Sequence, residues 1–104
     1  MEKAEIIQRI HAEIIKIEPE AEIYLFGSQA RGDYRADSDW DVLIISPKEK
    51  INFDYEIELR EPIFNLEIET GEVISLLIYS KNDWQNKKTI SPLFHNVAKE
   101  GLKI

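Results

Sequence analysis

Cysteine is absent from the 104 residues, histidine appears twice, and glycine and proline occur only four times each. Without cysteine there is no disulfide framework, no thiolate zinc centre and no cysteine nucleophile. With His11 and His95 as the only imidazoles, any metal is expected to be a hard cation held by carboxylates, magnesium or manganese. Nowhere do ~18 apolar residues run together, so no membrane-spanning helix is expected. The mixed-charge start Met1-Glu2-Lys3-Ala4-Glu5 lacks the apolar run of a signal peptide, and a cytoplasmic location is the expectation. Positive charge is also scarce: 13 Lys and Arg against 20 Asp and Glu give a net charge of −7. That balance argues against coating DNA or RNA, which is built on clustered cations, but not against binding one nucleotide with a metal. What is present, 43% hydrophobic and 32% charged residues, suits one compact domain over residues 1–104.

Ile7, Ile10, Ile14 and Ile17, widened by Ile6 and Ile15, have the spacing of one helical face, and Glu18-Pro19 closes that helix. Ile23 to Phe26 reads as a short buried strand ending at Gly27-Ser28, and Trp40 to Ile45 as a second, ended by Ser46-Pro47. Phe53, Ile57, Phe64 and Ile68 follow a helical rhythm, while Leu66, Ile68 and the β-branched Thr70 could equally open a hairpin; the favoured reading is a helix from about Phe53 to Glu69, kinked or restarted at Pro62, with Gly71 as a left-handed stop. Val73 to Tyr79 is nearly all apolar and is predicted to be a central strand. Ser80 can cap a turn around Asp83 and Trp84, and Leu93 to Glu100 should form a last helix after Pro92, terminated by Gly101. The order predicts an α+β (α/β-like) domain, a small mixed sheet with helices packed on it.

Chemistry concentrates between the first two strands, in Gly27-Ser28-Gln29-Ala30-Arg31-Gly32 and Ser38-Asp39-Trp40-Asp41. Glycine at a strand end lets bare amides approach a ligand, a helical turn over Gln29 to Arg31 would aim more of them there, and phosphate is the natural guest. Ser28 adds a hydroxyl and Arg31 a guanidinium fork that matches phosphate oxygens. Asp39 and Asp41, two apart at a strand entry, project to one face, while Trp40 and Val42 point into the core. Paired carboxylates can hold divalent ions, which at ~3.5–4 Å separation activate an attacking oxygen and stabilise a leaving one. Taken singly these features are ordinary: a turn, a strand-edge acid pair, and Arg31 and Arg35 pairing on the surface with Asp33 and Asp37. In combination they suit phosphoryl or nucleotidyl transfer.

The pattern Gly27-Ser28-x-Ala30-Arg31-Gly32, followed by Ser38-Asp39-x-Asp41 and an aliphatic strand, resembles the nucleotidyltransferase superfamily related to DNA polymerase beta. More narrowly it resembles the minimal nucleotidyltransferases encoded beside HEPN-domain partners, over most of the chain. The resemblance implies nucleotide binding by Gly27, Ser28 and Arg31, and Mg²⁺ (or Mn²⁺) held by a catalytic pair, Asp39 and Asp41. It implies transfer of a nucleoside monophosphate, AMP from ATP, to a hydroxyl such as a tyrosine of a HEPN toxin. The alternative is a catalytically impaired, nucleotide-binding antitoxin that neutralises a toxin by contact.

Active relatives of this kind carry a third carboxylate on the next central strand, and the resemblance puts Ser75 at that place. Serine is neutral and cannot act as the base. Of the nearby acids Glu67, Glu69 and Glu72, Glu72 is the best substitute, although its ordinary meaning is an exposed acid beside a turn. The acids Asp54, Glu56, Glu58, Glu61, Glu67 and Glu69 read as a solvated helix face or as a surface for a basic partner. His11 and His95 read as surface residues, and Trp84, Leu93 and Phe94 as core or lid packing rather than a base-stacking platform, although an aromatic near the cradle could hold adenine.

Overall fold

The computed structural model describes residues 2–32, 38–87 and 92–104. Its elements are α1 (Lys3–Ile17), β1 (Glu22–Phe26), α2 (Ser28–Arg31), β2 (Trp40–Ser46), α3 (Phe53–Thr70), β3 (Ile74–Ser80), α4 (Lys81–Lys87), α5 (Pro92–Glu100) and β4 (Leu102–Lys103). The strands form one mixed sheet in the order β3-β2-β1-β4, in which β1 is antiparallel to β2 and β4, and β2 is parallel to β3. No described helix is long and apolar enough to cross a membrane.

Alternation along the strands sends side chains to two packed faces. On one face α1 and α3 cover Ile23, Leu25, Trp40, Val42, Ile44, Ile74 and Leu76 with Ile6, Ile10, Ile14, Leu59, Ile63 and Leu66. On the other, α4 and α5 cover Leu43 and Ile45 with Trp84, Val97, Leu93 and Phe94. Tyr79, Trp84 and Phe94 form a ring stack there, with centroids 5.6 and 5.3 Å apart. Asp41 shares this second face.

Two expectations change. Strand β3 is an edge, not a central strand. It reads as apolar because both of its faces are covered, Ile74 and Leu76 on the α3 side and Leu77 and Tyr79 on the α4 side. Helix α3 runs on through Pro62 without a restart and stops at Gly71, whose φ of 75° is left-handed. Gly101 ends α5, its amide donating to the Val97 carbonyl (2.7 Å), but without a positive φ; a Cβ there would press on that same carbonyl. Ser80 does cap α4, its hydroxyl accepting from the Asp83 amide at 3.0 Å.

A hydrogen-bonded chain ties the far end of the sheet to the helices. The Tyr55 hydroxyl donates to Glu18 at the end of α1 (2.8 Å) and lies 2.9 Å from the Ser46 hydroxyl at the end of β2. Burial pushes the Tyr55 phenol up to about 12, with Glu18 adding to the rise and Ser46 opposing it. An unfolded tyrosine ionises near 10, so this contribution to stability is intact below pH ~10 and is lost as pH rises towards about 12. Thermal melts of the native chain should therefore fall across that window, and Tyr55→Phe should flatten the fall; equal slopes for both would refute the assignment.

Candidate active site

The site forms where β1 ends beside the start of β2, with Phe26 in register with Asp41. Gly27 follows at φ 73° and ψ −158°, a backbone conformation open to glycine. A Cβ at this position would collide with Oδ2 of Asp41. The missing side chain is what lets the strand-end amide and the carboxylate share one small space. The short helix α2 follows at once, with the Ala30 and Arg31 amides donating back to the Gly27 carbonyl, both at 3.1 Å. That turn brings Arg31 beneath the same face. Ser28 opens α2, and Gln29 is buried, donating to the Ser38 carbonyl at 3.4 Å. Asp33, Tyr34, Arg35, Ala36 and Asp37 lie outside the described residues, and with them the surface pairings expected for Arg31 and Arg35.

Asp39 is exposed just before β2, and Asp41 is half-buried within it. Burial raises the Asp41 carboxyl above the ordinary range, the charge of Asp39 raises it further, Arg31 lowers it, and Glu100 raises it. Two oxygen-bearing acids whose charges repel in a partly desolvated corner gain from a bound cation, and a hard divalent ion suits that donor set. The residues present thus fit magnesium or manganese. Among the described residues no cluster of three or more acids or histidines could hold a metal, so the remaining ligands would have to come from nucleotide oxygens and water.

Parallel pairing puts Ser75 of β3 directly beside Asp41, on the same face and exposed. The place where the resemblance expects a third acid therefore lies within the site and carries a hydroxyl. The substitutes considered for it are engaged elsewhere. Glu72 is not a free surface acid: it accepts from the indole of Trp40 (3.2 Å), whose ring lies on the opposite face of the sheet from Asp41. Glu67 accepts from the Ile74 amide at 3.1 Å, and Glu69 pairs with Arg9 at 2.6 Å.

One residue at the site was not anticipated from the sequence. Glu100, the last residue of α5, accepts from the Gly27 amide at 3.2 Å and from Nη1 of Arg31 through both carboxylate oxygens at 3.1 Å. Strand β4, paired with β1 through Leu25 and Leu102, fixes the chain just beyond it. A weak signal was present in the sequence: an acid in the last turn of a helix opposes the helix dipole and calls for a cationic partner. Nothing local says that this partner is Arg31.

The Gly27 amide and the Arg31 guanidinium, both held by Glu100, thus lie beside Asp41 at adjacent strand ends, in a small α+β frame. The chain belongs to the nucleotidyltransferase domain family, whose model matches residues 7–95. It is 40% identical over 79 residues to a Methanocaldococcus jannaschii protein assigned as a protein adenylyltransferase, covering 76% of this chain and 72% of that one. In fold it resembles a toxin–antitoxin crystallised with AMP-PNP, with a TM-score of 0.65 and 21% identity over 92% of this chain and 69% of the other. It also resembles a mutant of the toxin–antitoxin MntA–HpeT, with a TM-score of 0.59 and 20% identity over 99% of this chain and 71% of that chain.

Proposed function

We propose that residues 1–104 act as one domain that transfers AMP from ATP to a hydroxyl of a partner protein, with magnesium or manganese held by Asp39 and Asp41. The observation that carries this is the convergence of Gly27, Arg31 and Asp41 in a space that only glycine at position 27 leaves open. In this reading the Gly27 amide, the Ser28 hydroxyl and the Arg31 fork hold the phosphate oxygens, and the carboxylates of Asp39 and Asp41 face the α-phosphate. A cation held by Asp39 and Asp41 would neutralise phosphate charge and stabilise the departing oxygen. The acceptor oxygen bonds to the α-phosphorus, the bond to pyrophosphate breaks, and the hydroxyl proton leaves to a base. Ser75 cannot be that base, so the acceptor protein or solvent supplies it. The kinship with a protein adenylyltransferase supports a protein acceptor, and the toxin–antitoxin folds support a toxin, of HEPN type on the resemblance, as its source.

Ser75 favours a second reading, a nucleotide-binding antitoxin that neutralises its toxin by contact. Labelled ATP and Mg²⁺, incubated with the chain and the product of the neighbouring gene, separate the two. Label on the partner, lost in Asp39→Asn and raised by Ser75→Asp, is the expected result. No label, with neutralisation unchanged in Asp39→Asn, would favour contact alone.

A further inference from the structure

Helix α3 has two apolar faces. Tyr55, Leu59, Ile63 and Leu66 are buried against the sheet and α1. Phe53, Ile57, Phe64 and Ile68 are instead 74, 43, 60 and 69% exposed. At ~100° per residue these four fall within one stripe ~60° wide, on the side of α3 turned away from the core. Scattered exposed apolar residues are normal, but two apolar pairs on one helix face, Phe53 with Ile57 and Phe64 with Ile68, separated by the turn that carries Arg60 and Glu61, point to a surface that is covered in use.

The borders of the stripe indicate by what. Asp54, Glu58 and Glu61 run along one border, exposed, and among the described residues no cation pairs with them. On the other border Arg60 is held by Glu56 at 2.8 Å, and Glu67 is spent on the Ile74 amide. A second copy of this chain fits poorly. Antiparallel pairing would set Asp54, Glu58 and Glu61 against the same three acids, and parallel pairing would set them against a border whose one cation is already paired. Like charges facing across an apolar seam disfavour such a dimer.

We propose that this stripe docks an amphipathic helix of a partner protein, with an apolar ridge flanked by Lys or Arg. It does not rest on AMP transfer, and its test reads binding rather than activity. Two fluorescein-labelled helical peptides share one Leu/Ile ridge, flanked by Lys in one and by Glu in the other. Each is titrated with the full chain and followed by anisotropy. The Lys peptide is expected to bind at least about fivefold tighter, the margin narrowing as salt rises. Phe53→Ser with Phe64→Ser, which keeps every acid, should abolish binding with an unchanged circular dichroism spectrum. Asp54→Lys, Glu58→Lys and Glu61→Lys together should invert the preference between the peptides. Equal binding of the two peptides, binding of neither, binding retained without the phenylalanines, or a dimer of the chain alone that the serine variant dissolves would each overturn the proposal.

Discussion

Asp41→Asn is expected to lower AMP transfer at least about a hundredfold, ~2.7 kcal/mol of barrier, while raising the melting temperature of the metal-free protein. The two effects have one cause. The Asp41 carboxyl is held above its ordinary range by burial first, then by Asp39 and Glu100, against the opposing pull of Arg31. A carboxyl whose folded value is raised favours the fold while protonated. That contribution is present below the unfolded value near 3.9 and is lost as pH climbs through the folded one, so at neutral pH the ionised group works against the fold. Asparagine has the same shape without the charge, so it relieves the repulsion and forfeits the cation. Adding Mg²⁺ should then stabilise the native chain, because a ligand bound only by the folded state shifts the equilibrium, and should leave Asp41→Asn unmoved. Calorimetry in EDTA and in Mg²⁺ checks both halves. A variant that melts lower in EDTA would show that the carboxylate has a structural job, and one that keeps full transfer would remove Asp41 from the chemistry.

The local geometry of the candidate site was legible in the sequence because it is short-range. Gly27 to Arg31 and Asp39 to Asp41 lie within fifteen residues, and turn, helical start and strand entry each have a residue signature that survives outside the fold. The stripe of Ile10, Ile14 and Ile17 and the Gly71 stop were legible for the same reason. Position in the sheet was not. The apolar run of β3 records cover on two faces, and edge strands covered on two faces read like central ones. The two residues of β4 carry no pattern at all. Helix α3 was ambiguous because its second apolar face blurs the period that a single buried face would show, and the rhythm of Phe53, Ile57, Phe64 and Ile68 marks the exposed face rather than the buried one. Glu72 was misjudged because its partner, the indole of Trp40, lies 32 residues away.

Glu100 belongs to the same long-range class, since 73 residues separate it from the Gly27 amide that donates to it. Its carboxylate stands where the proposed function seats a phosphate, using the same amide and the same guanidinium. Glu100→Gln is accordingly expected to raise the affinity for Mg·ATP about tenfold. Hydrogen bonds between a carboxylate and charged donors are worth ~1.5–3 kcal/mol when sheltered, and exposed ion pairs nearer ~0–1. Glu100 is 19% exposed and Arg31 46%, which places the contact between those limits, and ~1.4 kcal/mol is a factor of ten. Glutamine keeps the length of the side chain and an acceptor for Arg31, so α5 stays anchored by Val97 in the core and by β4 against β1. A second consequence has its own sign. Glu100 helps to raise the Asp41 carboxyl, so its loss lowers that carboxyl and should let Mg²⁺ binding persist to a lower pH in the variant than in the native chain. Isothermal titration with Mg·ATP, and with Mg²⁺ alone across acid pH, reads both. Weaker nucleotide binding in Glu100→Gln would mean that the carboxylate holds Arg31 in place for the phosphate rather than competing with it, and the phosphate seat would then lie beyond the Gly27 amide.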